Sequence, residues 1–292
     1  MNRKYFSFIT LSLIFVMLIL SVGCGVRING KEYELFTSRD KDKDNFSIVF
    51  RSDLSDTQQI SEDKQEGEQF VVSDNVGDIS IKKSENSQIK IKIDKKVRGS
   101  SEGDIKTILD NLNIVLERNG EVIEAIAKTK DGDDFRDWLK DNFKLYQVTL
   151  DFDISLPEGI NIIEANIGAG NIGVQDVSAK LSLDTGAGNI DIKDVKALED
   201  NVLSTGAGNI DFNGNINNTS SFEASTGAGN VKFQVPEDTK MSIEADTGIG
   251  ILSGSFIKSK SHEKFNFKGD INGGGPTVKL DTGVGNVKVD KN

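Results

Sequence analysis

Thr-Gly-Ala-Gly-Asn-Ile stands at 185–190 and is repeated unchanged at 205–210. Variants occupy 167–172, 226–231, 247–252 and 282–287. Their first glycines fall at 168, 186, 206, 227, 248 and 283, so the spacings are 18, 20, 21, 21 and 35. Stacking the copies on that glycine exposes columns. Three residues before it stand Ala165, Leu183, Leu203, Ala224, Ala245 and Leu280; four after it stand Ile172, Ile190, Ile210, Val231, Leu252 and Val287. Apolar and polar residues alternate on both sides of the turn, the period of a half-buried strand. Each unit therefore reads as strand, Gly-x-Gly-Asn turn, strand and short polar loop.

A unit of about 20 residues cannot bury an apolar face alone, but copies stacked about 4.8 Å apart would close a continuous core. The predicted fold is all-β: a β-solenoid, or β-helix, of roughly 20-residue coils. A meander of antiparallel hairpins is the rival arrangement, since a four-residue turn also suits a hairpin. The structural turn residues are Gly168, Gly170 and Asn171; Gly186, Gly188 and Asn189; Gly206, Gly208 and Asn209; Gly227, Gly229 and Asn230; Gly248 and Gly250; Gly283, Gly285 and Asn286. Their glycines suit positive φ or close backbone approach. The asparagines are placed to stack as an amide ladder. The long last spacing implies an inserted loop near 253–275.

Upstream, Phe70, Val72, Asn75, Gly77, Asp78, Ile79 and Ile81 fall in the same columns as a degenerate copy. Strands are expected at 89–93, 114–116, 122–127 and 146–156. One short helix is expected at 102–112, with Ile105, Ile108, Leu109 and Leu112 on one face. Residues 68–156 thus read as an irregular N-terminal β-rich cap, and 157–292 as the tandem repeat. A cap is needed because an open end exposes strand edges.

Asn2-Arg3-Lys4 followed by an almost wholly apolar run over 6–22 reads as a signal peptide, residues 1–23. The single Cys, Cys24, follows Gly23 directly, like the lipid-modified cysteine of a lipobox, although Ser21 stands where Leu is usual. The alternative is an uncleaved signal anchor. Residues 24–67 are sparse in apolar side chains and read as a lipid-anchored flexible spacer. Asp40, Asp42 and Asp44 imitate the start of a calcium loop, but Asn45 and Arg51 occupy the positions of its Gly and Glu. The expected location is the extracytoplasmic face of the cell membrane.

Composition excludes much chemistry. One Cys and one His leave no disulfide within the chain and no Cys/His metal cluster. Net charge is −11, and −13 once Arg3 and Lys4 leave with the signal, which disfavours nucleic acid. No Arg follows Arg136, so the repeat lacks guanidinium forks for phosphate or carboxylate. Gly168-Ala-Gly170-Asn-Ile-Gly173 matches a dinucleotide-binding pattern, but β-branched residues follow where that pattern needs a helix. No cofactor and no metal are expected.

Two features suggest contact or catalysis. Asp191 and Asp211 share an outward column about 5 Å apart, where like charges raise one pKa. Lys232 follows in that column. Phe135, Trp138, Phe143 and Tyr146 surround a charged helix-like run and read as a cap anchor or as a contact surface for an envelope protein or glycan.

The order of these features, from lipid-type signal through degenerate copy and helix to a Leu156-Pro157-Glu158-Gly159 strand entry and tandem turns, resembles the bacterial putative-adhesin family of β-strand-repeat envelope proteins. The resemblance spans about residues 68–292. It implies a β-solenoid at the envelope and little about chemistry. The functional expectation is a non-catalytic envelope lipoprotein, adhesin-like or structural. The alternative is a carbohydrate-active enzyme using the outward carboxylates.

Overall fold

The computed structural model describes residues 24–28, 31–38, 47–49, 52–63, 69–143, 146–257 and 265–292, with backbone alone at 24–49 and 217–220. It is predominantly β. A three-stranded antiparallel sheet joins Cys24–Ile28, Lys31–Ser38 and Ser47–Val49. The remaining strands form one 18-stranded sheet that is nearly closed, like a barrel.

Two ladders of paired strands organise that sheet. The first contains the strands that lead into each turn. Gln69–Val76 pairs with Ile162–Ala169, which pairs with Ser178–Ala187. The ladder continues through the later parts of Ile190–Ala207 and Ile210–Ala228. All of these pairs are parallel, and the registers join the same columns: Ala165 opposes Leu183, Leu183 opposes Leu203, and Leu203 opposes Ala224. The second ladder contains the strands that leave each turn, with Ile172 opposite Ile190, Ile190 opposite Ile210, and Ile210 opposite Val231. A two-residue side-chain period places one face of both ladders inside. Leu183, Ile190, Leu203, Ile210 and Phe212 are accordingly buried. Phe212, Phe222 and Phe233 meet at ring-centroid separations of 4.6–5.1 Å and fill the middle of this core.

The order of layers departs from the order of the chain. Thr277–Val284 pairs on one side with Ile210–Ala228 and on the other with Met241–Ile249. The layer around Gly283 is therefore inserted between those around Gly227 and Gly248. The inserted stretch expected near 253–275 holds a strand, Asn266–Ile271, that pairs antiparallel with Met241–Ile249 and closes that end of the first ladder.

The other end is closed differently. Val122–Lys128 pairs with Gln69–Val76 and with Asn113–Asn119. Gln147–Leu156 pairs parallel with Ile79–Lys83 and antiparallel with Gln88–Gly99. Ser52–Asp63 then pairs with Gln88–Gly99 over twelve residues. Gln58 joins the two terminal strands: its carboxamide accepts from the Ile114 N–H at 3.0 Å and donates to the Ile114 carbonyl at 2.6 Å. The sequence reading placed 52–63 within the spacer. It forms a strand because Leu54 and Ile60 alternate with polar residues and pack against the core, a stripe too thin to register as hydrophobic by composition.

Two helices occur among the described residues, where one was expected. Helix α1, Glu102–Asn111, is capped by the Ser101 hydroxyl, which accepts from the Asp104 N–H, and buries Ile105 and Ile108. Helix α2, Phe135–Asn142, is capped by Asp134, whose side chain accepts from the N–H groups of Arg136 and Asp137. Its charged sequence hides a single buried anchor, Phe135.

Candidate functional site

The turns, read from the sequence as structural, have the same geometry from layer to layer. A Cβ on any first glycine of the six copies would lie 2.5–2.6 Å from a backbone oxygen of the neighbouring layer. On Gly170, Gly188, Gly208, Gly229, Gly250 and Gly285 it would lie 1.6–1.9 Å from one. No side chain fits such an approach. The asparagines form a run of donors and acceptors. Asn189 donates its N–H to Asn171 Oδ1 at 3.0 Å, Asn209 to Asn189 at 2.9 Å, Asn230 to Asn209 at 2.8 Å, and Asn286 to Asn230 at 2.9 Å. The run starts on carboxylates: Asn171 N–H donates to Asp78 Oδ1, and Asp78 N–H to Asp151 Oδ1. It ends where Ile251 N–H donates to Asn286 Oδ1 at 3.0 Å. Thr185, Thr205, Thr226, Thr282 and Thr247 each donate a hydroxyl to a glycine carbonyl of the adjoining layer at 2.8–2.9 Å.

Asp74 occupies the threonine row in the first layer, since it lies in register with Ile167 and through it with Thr185. A carboxylate cannot donate as threonine does, and Asp74 Oδ2 is buried with no hydrogen-bond partner. Burial raises its pKa to about 6, against the lowering effects of the Asn75 and Val76 N–H groups and of Arg136. Arg136 donates to the Ser73 carbonyl at 2.7 Å and so fastens α2 beside it. The degenerate copy already put Asp74 in the threonine column, but its burial without a partner shows only in the tertiary structure.

Asp191 and Asp211 oppose one another on adjacent strands, and Asp211 opposes Lys232. Lys232 Nζ lies 3.1 Å from Asp211 Oδ2. Partial burial, then the charge of Asp211, raises the pKa of Asp191. The two carboxylates thus sit side by side on one strand face, one of them neutralised by Lys232.

The aromatic residues of the cap do come together. Ring centroids are 5.7 Å apart for Phe135–Trp138, 5.3 Å for Trp138–Phe143 and 5.4 Å for Phe143–Tyr146. Phe135 is buried, and the other three are half-buried against the core. Tyr146 also donates its hydroxyl to Asp104 at 2.5 Å. The row is used to fasten α2 to α1 and the strands beneath it.

One concave site was not foreseen. A cavity of about 410 Å³ opens between the loops of successive layers. Leu156, Ile160 and Ile163 form its floor, and Lys83, Glu158, Asp176, Asp194 and Lys196 its rim. Lys83 and Glu158 form an ion pair. Asp176 and Asp194 both adopt positive φ, 57° and 54°, which Asp tolerates better than most residues. The only sequence signal was their shared loop position, Gln175-Asp176-Val177 and Lys193-Asp194-Val195. The lining combines paired charges with an apolar floor, the makings of a small-ligand or side-chain contact rather than of proton transfer.

Cys24 begins the first strand, opposite Leu35. Among the described residues, no group of three or more His, Cys, Asp or Glu is placed to hold a metal, and no helix is long and apolar enough to cross a membrane.

No protein-family profile and no curated protein match the chain. Solved structures do. One is described as a "putative cell adhesion protein" from Clostridium sporogenes: identity is 16%, coverage 82% of this chain and 100% of that one, and TM-score 0.46. A "putative adhesin" from Bacteroides fragilis shares 14% identity over 81% of this chain and 97% of that one, with TM-score 0.30. A "putative lipid binding protein" from Parabacteroides distasonis shares 14% identity over 82% and 96%, with TM-score 0.28. The chain is therefore similar, at low identity, to bacterial proteins described as putative adhesins.

Proposed function

We propose that this is a non-catalytic, lipid-anchored envelope module of the adhesin type, built as a β-solenoid of roughly 20-residue coils. The observation that supports the reading is the use of the repeated motif. Its glycines, asparagines and threonines are engaged by the adjoining layer, so the repetition serves stacking, and recognition falls to the outward faces and loops. The cavity between the loops is the candidate contact, for a small polar group of an envelope protein or glycan. Cys24 carries the lipid, and the body stands on the extracytoplasmic face. The Asp191–Asp211 column is a solubilising face in this reading, with Lys232 balancing it.

The test combines location with binding. In cells, Cys24→Ser in the full chain should release the body or leave an unprocessed precursor. Retention of full-length chain on isolated envelope should weaken with Lys196→Glu and with Asp194→Asn, the second chosen because Asn keeps positive φ. Cleavage of a wall or capsule polysaccharide that stops with Asp191→Asn or Asp211→Asn, at unchanged stability, would overturn the non-catalytic reading.

A further inference from the structure

We infer that the end of the stack formed by the Gly248 layer is an interface between two molecules of this chain, joined about a two-fold axis near Ile251. The inference stands on the strand registers and goes beyond the proposed function.

Five large apolar residues are exposed among the described residues, and four gather at this end: Ile249 at 69%, Ile251 at 65%, Phe265 at 54% and Val284 at 53%. Ile249 and Val284 are in register, and Phe265 accepts from the Thr247 N–H. Further along the same row stand Ala169, Ala187, Ala207 and Ala228. The side chain between the two turn glycines thus grows from Ala to Val to Ile as this end is approached. The Asn column changes in the same place, from Asn286 to Ile251. Solubility at an end would call for the reverse.

The backbone points to the same partner. In the inner layers the N–H of Gly188 donates to Ala207, and that of Ile190 to Asn209; the same pair of bonds recurs from Gly170 and Ile172 through Gly285 and Val287. Gly250 and Leu252 are the corresponding residues of the last layer, and among the described residues no carbonyl adjoins them on the outer side. A residue in a strand directs its N–H and C=O to the same side, so this edge offers both groups at two positions separated by one residue. That pattern matches itself after a two-fold rotation, with Gly250 of one molecule opposite Leu252 of the other and Ile251 opposite Ile251. A lipid surface would cover the apolar side chains and leave these N–H groups unpaired. The chain's own segment 258–264, Lys-Ser-Lys-Ser-His-Glu-Lys, carries no apolar side chain. The strand Ser52–Asp63 itself lies at the opposite end of the sheet.

The test uses full-length chain in its own membrane and in detergent. Opposed residues of an antiparallel pair stand about 5 Å apart at Cα, within disulfide reach. Ile251→Cys should therefore give a covalent dimer under mild oxidation, while Val202→Cys, also exposed but away from this end, should not. Ile249→Lys, at an exposed position that folding tolerates, should abolish that cross-link and shift light-scattering mass from dimer to monomer. The inference is overturned if Ile251→Cys stays monomeric, if it links to a different protein, or if Ile249→Lys leaves the mass unchanged. Loss of envelope retention in Lys196→Glu would leave the dimer intact, so the two proposals fail separately.

Discussion

Inner layers and end layers use the same columns for different chemistry. Inside the stack, a threonine hydroxyl donates across to a glycine carbonyl, and an asparagine both accepts from one layer and donates to the other. At the N-terminal end the threonine position holds Asp74 and the asparagine position Asp78, which accepts from Asn171 and passes its own N–H to Asp151. At the opposite end the asparagine position holds Ile251, which donates its N–H and, among the described residues, meets no further layer. The column fixes where a side chain points. The presence of a neighbour decides what that side chain must supply.

The comparison breaks most severely at the inner glycines. Gly188→Val places a Cβ 1.9 Å from the Gly170 carbonyl oxygen, and the two layers must part. A loss on the order of 4 kcal/mol or more is expected, seen as a lost cooperative unfolding transition. Gly120→Ala is the control, because nothing lies within 4 Å of its Cβ. Its φ of 63° makes it cost only about 1 kcal/mol. Equal effects would show that the turns do not pack as described.

At the end layer, Asp74→Asn should stabilise. The folded pKa, about 6, lies above the ordinary 3.8. The native state therefore binds the proton more tightly than the unfolded chain. Its contribution is complete below pH 3.8 and is lost as pH rises to about 6, leaving a cost of up to about 3 kcal/mol at neutral pH. Denaturant midpoints of the wild type should fall between pH 4 and 6 by an amount that Asp74→Asn removes. A pH profile unchanged by the substitution would mean that Asp74 is better solvated than its burial implies.

Asn189→Ala should cost about 1 kcal/mol, since it removes one exposed acceptor from the Asn209 N–H and water can substitute. A cost as large as that of Gly188→Val would move the stabilising role from close backbone packing to the amide run.

The smallest effect concerns layer order. Along one outward row stand Glu223, Lys279, Glu244 and Lys268, with Lys279–Glu223 and Lys268–Glu244 pairs at 3.3 Å. Lys279→Glu would set three acids in succession. A small fall in melting temperature that fades with added salt is expected. Its absence at low ionic strength would argue that Lys279 does not lie between the two glutamates.

Much of this was legible in the sequence, for local reasons. Alternation at 181–192 and 201–212 specifies which residues turn inward, whatever their neighbours. The helix at 102–111 announces itself through the spacing of Ile105, Ile108 and Leu109. The α2 segment showed only as a charged helix-like run: Phe135, Trp138 and Leu139 stand at helical spacing, but Phe135 alone is fully buried. Ser52–Asp63 was read as spacer, because its pairing with Gln88–Gly99 is non-local and its apolar residues are few. The cavity rim joins Asp176 and Asp194, related by the repeat, to Lys83 and Glu158, which no spacing connects to them.

The sequence by itself determined the columns: a two-residue strand period on either side of a recurrent glycine turn leaves little choice of face. Only the tertiary structure decided the neighbours. A repeat states that each layer can stack on another and is silent on which one. The Gly283 layer enters between those of Gly227 and Gly248 because the chain turns back through Asn266–Ile271, antiparallel to Met241–Ile249, before it returns. That reversal makes the Gly248 layer the end of the stack. It gives Ile249 and Ile251 their exposure, and it places Lys279 between two glutamates that chain order alone would have set side by side.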